Sequence, residues 1–335
     1  MIIDVNKLPK KIGEVNYFVK DENGCCTLYS NSTKTQLNIV CKLDDLQIEE
    51  SFAVDNKALE MLKVLSPITD VVVDGKTFTI KSSKGNYKAK LLNGELFIKP
   101  NMNFDYSFKA NLNRLRIASQ FCSKNDKKPI IMGVNVNSNG DISATDSFIA
   151  FRYINKEKIG ENYNSITIPS EFIDFVSKVV DDSEVLIKFN KNSCAILIDN
   201  TYYISKLLDG NYPPLSKIFA VRNNAEHLQF DVKELREKIS ISKNVGESKE
   251  HPIYLTFENN TLLANGDNKF TSYLSENNQR TCGEYNFTIT LNNFNVIINN
   301  VSDNDTMTID YVDSVGPLFV EDNENEFLIL TIRKD

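Results

Sequence analysis

The chain has 335 residues, 41% hydrophobic and 25% charged, with a formal net charge of −7. This is the composition of a soluble globular protein of two or three domains, and the acidity excludes one that coats nucleic acid or membrane with its whole surface. Six cysteines without a CxxC pair, two histidines (His227 and His251), no signal peptide and no apolar run near ~20 residues argue against a zinc site, a disulfide framework and a membrane span, so a cytoplasmic chain is expected.

From the N-terminus, Asn6 and Pro9 open and Gly13 ends a helix of about one turn. A strand over 16–20 and a turn at Glu22-Asn23-Gly24 follow. Residues 51–54 form a strand, and Asp55 is the expected N-cap of a helix striped by Leu59, Leu62 and Leu65. Strands are predicted over 70–73, 77–80 and 86–91, then a link at Pro100-Asn101-Met102. Residues 108–122 fit one helix. Phe108, Leu112, Leu115, Ser119 and Cys122 make its buried face, and Lys109, Asn113, Arg116 and Gln120 lie within about 60° of one another opposite.

Residues 165–168 form the next strand, and Pro169-Ser170 open a helix. Phe172, Phe175, Val176 and Val179 recur at i, i+3, i+4 and i+7 before Asp181-Asp182 stop it. Strands over 184–189, 193–198 and 201–208 lead through Asp209-Gly210 to Tyr212-Pro213-Pro214. Two prolines fix φ and remove two donors, so 212–219 is expected to be an extended connector displaying Tyr212, Leu215, Ile218 and Phe219. A link at Val221-Arg222-Asn223-Asn224 precedes the run Phe230–Ile239, the counterpart of the Phe108 helix. A strand over 286–290 then enters a helix with Phe294, Ile297, Ile298 and Val301 at helical spacing, and strands over 306–311, 316–320 and 326–332 close the chain.

A strand, a helix and three strands thus occur three times, with helix starts offset by roughly 114 and about 122 residues, the size of single domains. The expected fold class is α+β, with three repeated domains at 1–102, 103–224 and 225–335, each with two helices packed on antiparallel sheet and the first helix of the first domain shortened. No P-loop, GxGxxG, GxSxG, HExxH or EF-hand pattern occurs. Thr145-Asp146-Ser147 fits a strand-end turn better than a nucleophilic site, and no acidic cluster has metal-ligand spacing. No enzyme, metal or cofactor is called for.

Ser205-Lys206-Leu207-Leu208-Asp209-Gly210-Asn211-Tyr212-Pro213, Ala144-Thr145-Asp146 with Ile149-Ala150, Asp313-Ser314-Val315 and Phe327-Leu328-Ile329-Leu330-Thr331-Ile332-Arg333, in this order over three domains, resemble the bacterial DNA polymerase III β subunit, the sliding clamp. The resemblance covers essentially the whole length and implies a homodimeric, head-to-tail ring of six domains around duplex DNA, held without sequence preference. It implies a polar, weakly basic channel wall from Lys109, Asn113, Arg116, Gln120, Lys233 and Lys238. It also implies a groove between the second and third domains that takes short linear motifs of polymerases, the clamp loader and repair proteins. Its walls would be Ile130, Ile131, Thr145, Ile149, Pro213, Ile218, Phe294, Val315, Pro317, Leu328, Leu330 and Ile332. Two departures stand out. Thr145-Asp146-Ser147-Phe148-Ile149-Ala150 is one residue shorter than the family's run and lacks its His-Arg. The first domain has lost most of a helix, and the expected dimer edge at Ile239 and Ile241 is only modestly apolar, which points to a weaker ring or to a clamp-like adaptor that binds partners without encircling DNA.

Overall fold

The computed structural model describes residues 8, 14–31, 37–93, 99–155, 165–180, 184–222, 225–246, 252–275, 284–302 and 306–333. The expected helix at Asn6–Gly13, the helix stop at Asp181-Asp182 and the link residues Asn223-Asn224 lie outside them. The chain divides into two compact units, 1–113 with 171–207, and 114–170 with 208–335.

The first unit holds strands β1 (Val15–Lys20), β2 (Cys25–Asn31), β3 (Asn38–Gln47) and β4 (Phe52–Asp55), helix α1 (Asn56–Val64), then β5 (Ile68–Asp74), β6 (Thr77–Ser82), β7 (Gly85–Lys90) and β8 (Tyr106–Asn111). Asp55 caps α1 as expected, its carboxylate accepting the Ala58 N–H at 2.8 Å, and Ala58, Leu59 and Leu62 face inward. Helix α2 (Leu112–Ser119) runs on from β8. In the second unit β9 (Gly133–Val136), β10 (Ile142–Thr145), β11 (Ile149–Tyr153) and β12 (Ile166–Pro169) follow. Helix α3 (Ser170–Val176) leads back to the first unit and to β13 (Glu184–Phe189), β14 (Ser193–Ile198) and β15 (Thr201–Lys206). The rest belongs to the second unit: α4 (Leu215–Phe219), β16 (Glu226–Asp231), α5 (Val232–Ser242), β17 (Tyr254–Glu258), β18 (Thr261–Asn265), β19 (Lys269–Tyr273), β20 (Asn286–Thr290), α6 (Leu291–Ile298), β21 (Thr306–Tyr311), β22 (Leu318–Asp322) and β23 (Asn325–Ile329). Among the described residues no helix is long and apolar enough to cross a membrane.

The first unit has an eight-stranded antiparallel sheet in the order β4-β1-β2-β3-β15-β14-β13-β8 and a three-stranded one, β5-β6-β7. The second repeats the eight-stranded order as β12-β9-β10-β11-β23-β22-β21-β16 and adds β19-β18-β17-β20. Both large sheets are two half-sheets joined edge to edge, through β3 and β15 in one and β11 and β23 in the other. The smaller sheets are the same two halves left unjoined: β20-β17-β18-β19 corresponds to β4-β1-β2-β3, and β5-β6-β7 to β13-β14-β15. The fold is therefore three copies of one α+β plan. Among the described residues the first copy has one helix, α1, the second has α2 and α3 with the short α4 after its last strand, and the third has α5 and α6.

Apolar layers between helices and sheets form the cores. Phe18 stacks on Phe52 at 4.7 Å in the first unit, with Phe78 beyond. In the second, Phe121, Phe151 and Phe327 meet at 5.6–5.7 Å, and Phe257 joins Phe230, Phe287 and Phe294. Three two-residue hairpins place Asp199, Asn259 and Asn323 at positive φ, where Asp and Asn are the tolerated non-glycine residues.

Two expectations change. Residues 106–111 are a strand, not the start of a helix: Phe108 and Ala110 alternate inward against β13, and α2 begins only at Leu112. The double proline does not exclude a helix either. Pro214 stands at the N-cap of α4, where a missing N–H costs nothing, and Leu215 and Phe219 turn into the core.

Candidate functional site

The turn between β10 and β11 is built by its own side chains. The Asp146 carboxylate accepts the N–H groups of Phe148 (2.7 Å) and Ile149 (2.8 Å). The Thr145 hydroxyl donates to the Ile149 carbonyl (2.7 Å) and accepts the Ser147 N–H (3.0 Å). Ser147 takes φ +87°, and Phe148 projects outward, 62% exposed. From the other side the Tyr212 hydroxyl accepts the Thr145 N–H (3.2 Å) and donates to the Gly133 carbonyl (3.3 Å). Burial pushes that hydroxyl's pKa up, so it remains a neutral donor.

Beyond Tyr212, Leu215 and Phe219 pack with Ala150, Phe319 and Leu328. Arg222 holds the far end of this connector by ion pairs to Asp310, Glu321 and Glu326, and the Arg152 guanidinium lies over the Phe219 ring while pairing Glu326. The C-terminal segment is drawn in beside the turn: Leu330 N–H donates to the Phe148 carbonyl (2.9 Å), the Thr331 hydroxyl to the Gly316 carbonyl (3.1 Å) and Ile332 N–H to Thr288 (2.7 Å).

Three segments distant in sequence are thus brought to one face of the second unit. Ile218 (42%), Val315 (51%) and Leu330 (38%) are exposed apolar groups there. Ile130, Pro213, Pro317 and Ile332 are partly exposed, while Ile131, Thr145, Ile149 and Leu328 are buried beneath as support. Phe294 leaves the set. It is 0% exposed and packs edge-on to Phe257 at 5.7 Å, because it sits on the core side of α6.

A cavity of about 840 Å³ adjoins this face and shares Ile131, Ile149 and Phe148 with it. Its other walls are Asn292, Asn293 and Val296 of α6, Gln120, and the loop Ser123–Lys128 with Lys124, Lys127 and Lys128. Phe148, named above only within the shortened run, and these lysines are not among the groove residues expected from the sequence. Their signal was the basic run Lys124-Asn125-Asp126-Lys127-Lys128 directly before Pro129.

The other expected residues divide. Asn113, Arg116 and Gln120 are exposed along α2 and the turn after it, and Gln120 exchanges amide hydrogen bonds with Asn300 (3.0 and 3.3 Å). Lys109 is not on that helix. It lies in β8 and pairs with Glu184 at 2.9 Å. On α5, Lys233 is exposed and Lys238 half-buried. Ile239 is 1% exposed and faces the core, so of the two expected edge residues only Ile241, at 39%, is open to a partner.

Residues 105–214 match the family model for the DNA polymerase III beta subunit, central domain. Over 103 residues the chain is 34% identical to the beta sliding clamp of Staphylococcus aureus, and equally to that of Staphylococcus epidermidis. These matches take in 29% of this chain and 27% of each relative, so they span about a quarter of the curated relatives' length. The fold is similar throughout to a sliding clamp from Pseudomonas aeruginosa (TM-score 0.82, 16% identity, 98% of this chain and 94% of that one). It is also similar to a putative DNA polymerase III beta subunit from Eubacterium rectale (0.80, 15%, 98% and 95%) and a sliding clamp from Bartonella birtlesii (0.81, 16%, 98% and 96%). At these identities the likeness shows the fold.

Proposed function

We propose that this chain, which belongs through its central domain to the DNA polymerase III β-subunit family and carries a sliding-clamp fold end to end, is itself a sliding clamp and a docking hub for replication and repair proteins. Its domains on this proposal are 1–102, 103–224 and 225–335. The observation that carries it is the register of the two half-sheet junctions. Cys41 pairs with Thr201, Val40 with Tyr202, Ile39 with Tyr203 and Asn38 with Ile204. Position for position this is the pairing of Tyr153 with Asn325, Arg152 with Glu326, Phe151 with Phe327 and Ala150 with Leu328. Two half-sheets remain unjoined, ending in β7 and β19. The same register there sets Ser272 against Gly85, Thr271 against Asn86, Phe270 against Tyr87 and Lys269 against Lys88.

A third junction of this kind between two copies closes a head-to-tail ring. The Phe270–Tyr87 pair repeats the aromatic or aliphatic pair at the centre of each existing junction. A ring holds duplex DNA topologically, so its lining needs only polar, weakly basic groups, here Asn113, Arg116, Gln120, Lys233 and Lys238, to face phosphates without arresting sliding. Lys109, neutralised by Glu184, contributes little. The apolar face at Pro213, Ile218, Val315 and Leu330 suits the anchors of short linear motifs from polymerases, a clamp loader and repair proteins. No catalytic step is assigned to the chain, and its place of action is the cytoplasm.

A second reading, an adaptor that binds those partners without encircling DNA, is favoured by one feature of the third junction. It sets Lys88 opposite Lys269, and like charges directly across strands cost about 0.2–1 kcal/mol. Retention on nicked circular DNA separates the two. After loading, a clamp is retained on the circle and lost when the circle is linearised; equal loss from both, with peptide binding intact, leaves the adaptor.

A further inference from the structure

We infer that the loop before β9 makes the docking site selective for peptides that carry carboxylates beside their apolar anchors. This deepens the groove reading and rests on it. The cavity has an apolar side, Ile131, Ile149 and the exposed ring of Phe148, and a basic side, Lys124, Lys127 and Lys128. All three lysines are exposed, in a chain whose net charge is −7.

The loop that carries them is built rather than loose. Ser123 N–H donates to the Ile131 carbonyl at 2.8 Å and closes its base. The Ser123 hydroxyl accepts the Asn125 N–H, and the Asn125 side-chain carbonyl accepts the Lys127 N–H, both at 3.0 Å. The loop backbone is therefore held in place, and its three exposed lysines line the cavity. Two carboxylates share the lining. They are Asp126 and Asp146, the second held by the N–H groups of its own turn, so the three lysines outnumber the acidic groups by one.

An apolar anchor seated by Phe148 leaves the next few residues of a bound peptide under these ammonium groups. Aspartate or glutamate there gains three point-charge partners, and lysine or arginine is repelled. The occupant is thus an acidic, leucine- or phenylalanine-anchored peptide segment. Because the charges are exposed, the preference is modest and screened by salt.

The test uses the full chain and two fluorescein-labelled synthetic peptides. Both share a half containing one glutamine, two leucines and a phenylalanine; the other half carries three aspartates in one and three asparagines in the other. The aspartate peptide is expected to bind about fivefold to tenfold tighter in 50 mM salt and within roughly twofold in 500 mM. In the triple variant Lys124→Gln, Lys127→Gln, Lys128→Gln the preference disappears while the asparagine peptide binds as before. Equal affinity of the two peptides for the unaltered chain overturns the inference and leaves the groove standing. Failure of both peptides to bind overturns the groove and the inference together. If a labelled oligothymidine displaces the asparagine peptide from the unaltered chain but not from the triple variant, the lysines serve nucleic acid and the inference is overturned.

Discussion

Arg222 shows how one residue holds the candidate docking face in place. Asp310 is 1% exposed and Arg222 is its cationic partner, with Glu321 and Glu326 on the same guanidinium. Arg222→Ala leaves the buried Asp310 carboxylate with the His227 ring nitrogen at 2.7 Å but without the guanidinium, and a loss of about 2 kcal/mol in urea unfolding is expected; an unchanged midpoint would mean that the pair contributes nothing. Tyr212→Phe strands the Thr145 N–H, with an expected cost of about 1–2 kcal/mol and weaker peptide binding, because the β10–β11 turn loses its brace. The cysteines give a pH signature. Burial, with Cys41 as a second cause, pushes the Cys26 thiol up to about 12, and burial does the same to Cys194. Unfolded thiols ionise near ~8.5, so the folded state holds these protons more tightly. The stability they contribute is complete below that pH and is lost as pH rises towards 12. Melting temperatures should therefore fall between pH 8 and pH 11, and replacing both with alanine should flatten the fall; a level profile in the unaltered chain would contradict this.

At the scale of elements, the parts legible in the sequence are those whose periodicity is local. The strand–helix–strands units around α1, α3 and α6 stand close to their expected places, because i, i+3, i+4 stripes and capping residues such as Asp55 are local signals. Residues 106–111 misled because Phe108, Leu112 and Leu115 satisfy a helical period, while the deciding alternation of Phe108 and Ala110 depends on pairing with β13 some 75 residues on. Pro213-Pro214 misled because the same chemistry that ends one helix starts another. Of the expected groove residues, Ile149 of β11 and Leu328 of β23 are buried, while Ile218 of the connector is exposed. Phe294 faces the core, since its side of α6 is set by packing against Phe257. The lysine loop carried no periodicity, only a basic run before Pro129, and the cavity gave that run its place. For this face, Ile218→Ala with Leu330→Ala should weaken an anchored peptide about tenfold or more without lowering the melting temperature, both side chains being exposed. Unchanged peptide affinity would move the docking site elsewhere.

At the scale of the molecule, the repeat was legible and the strands of the proposed third junction were not. The sequence pointed to Ile239 and Ile241 as the edge, but one of them is buried. The unjoined β7 and β19 became visible only through the identical registers of the two large sheets. Ring formation through these strands is the central claim, and light scattering of the purified chain across concentration tests it most directly. A mass near twice 38.0 kDa is expected at tens of micromolar for the unaltered chain, and a single-chain mass for Phe270→Asp or Tyr87→Asp. A monomer at every concentration, or a dimer indifferent to both substitutions, would contradict it.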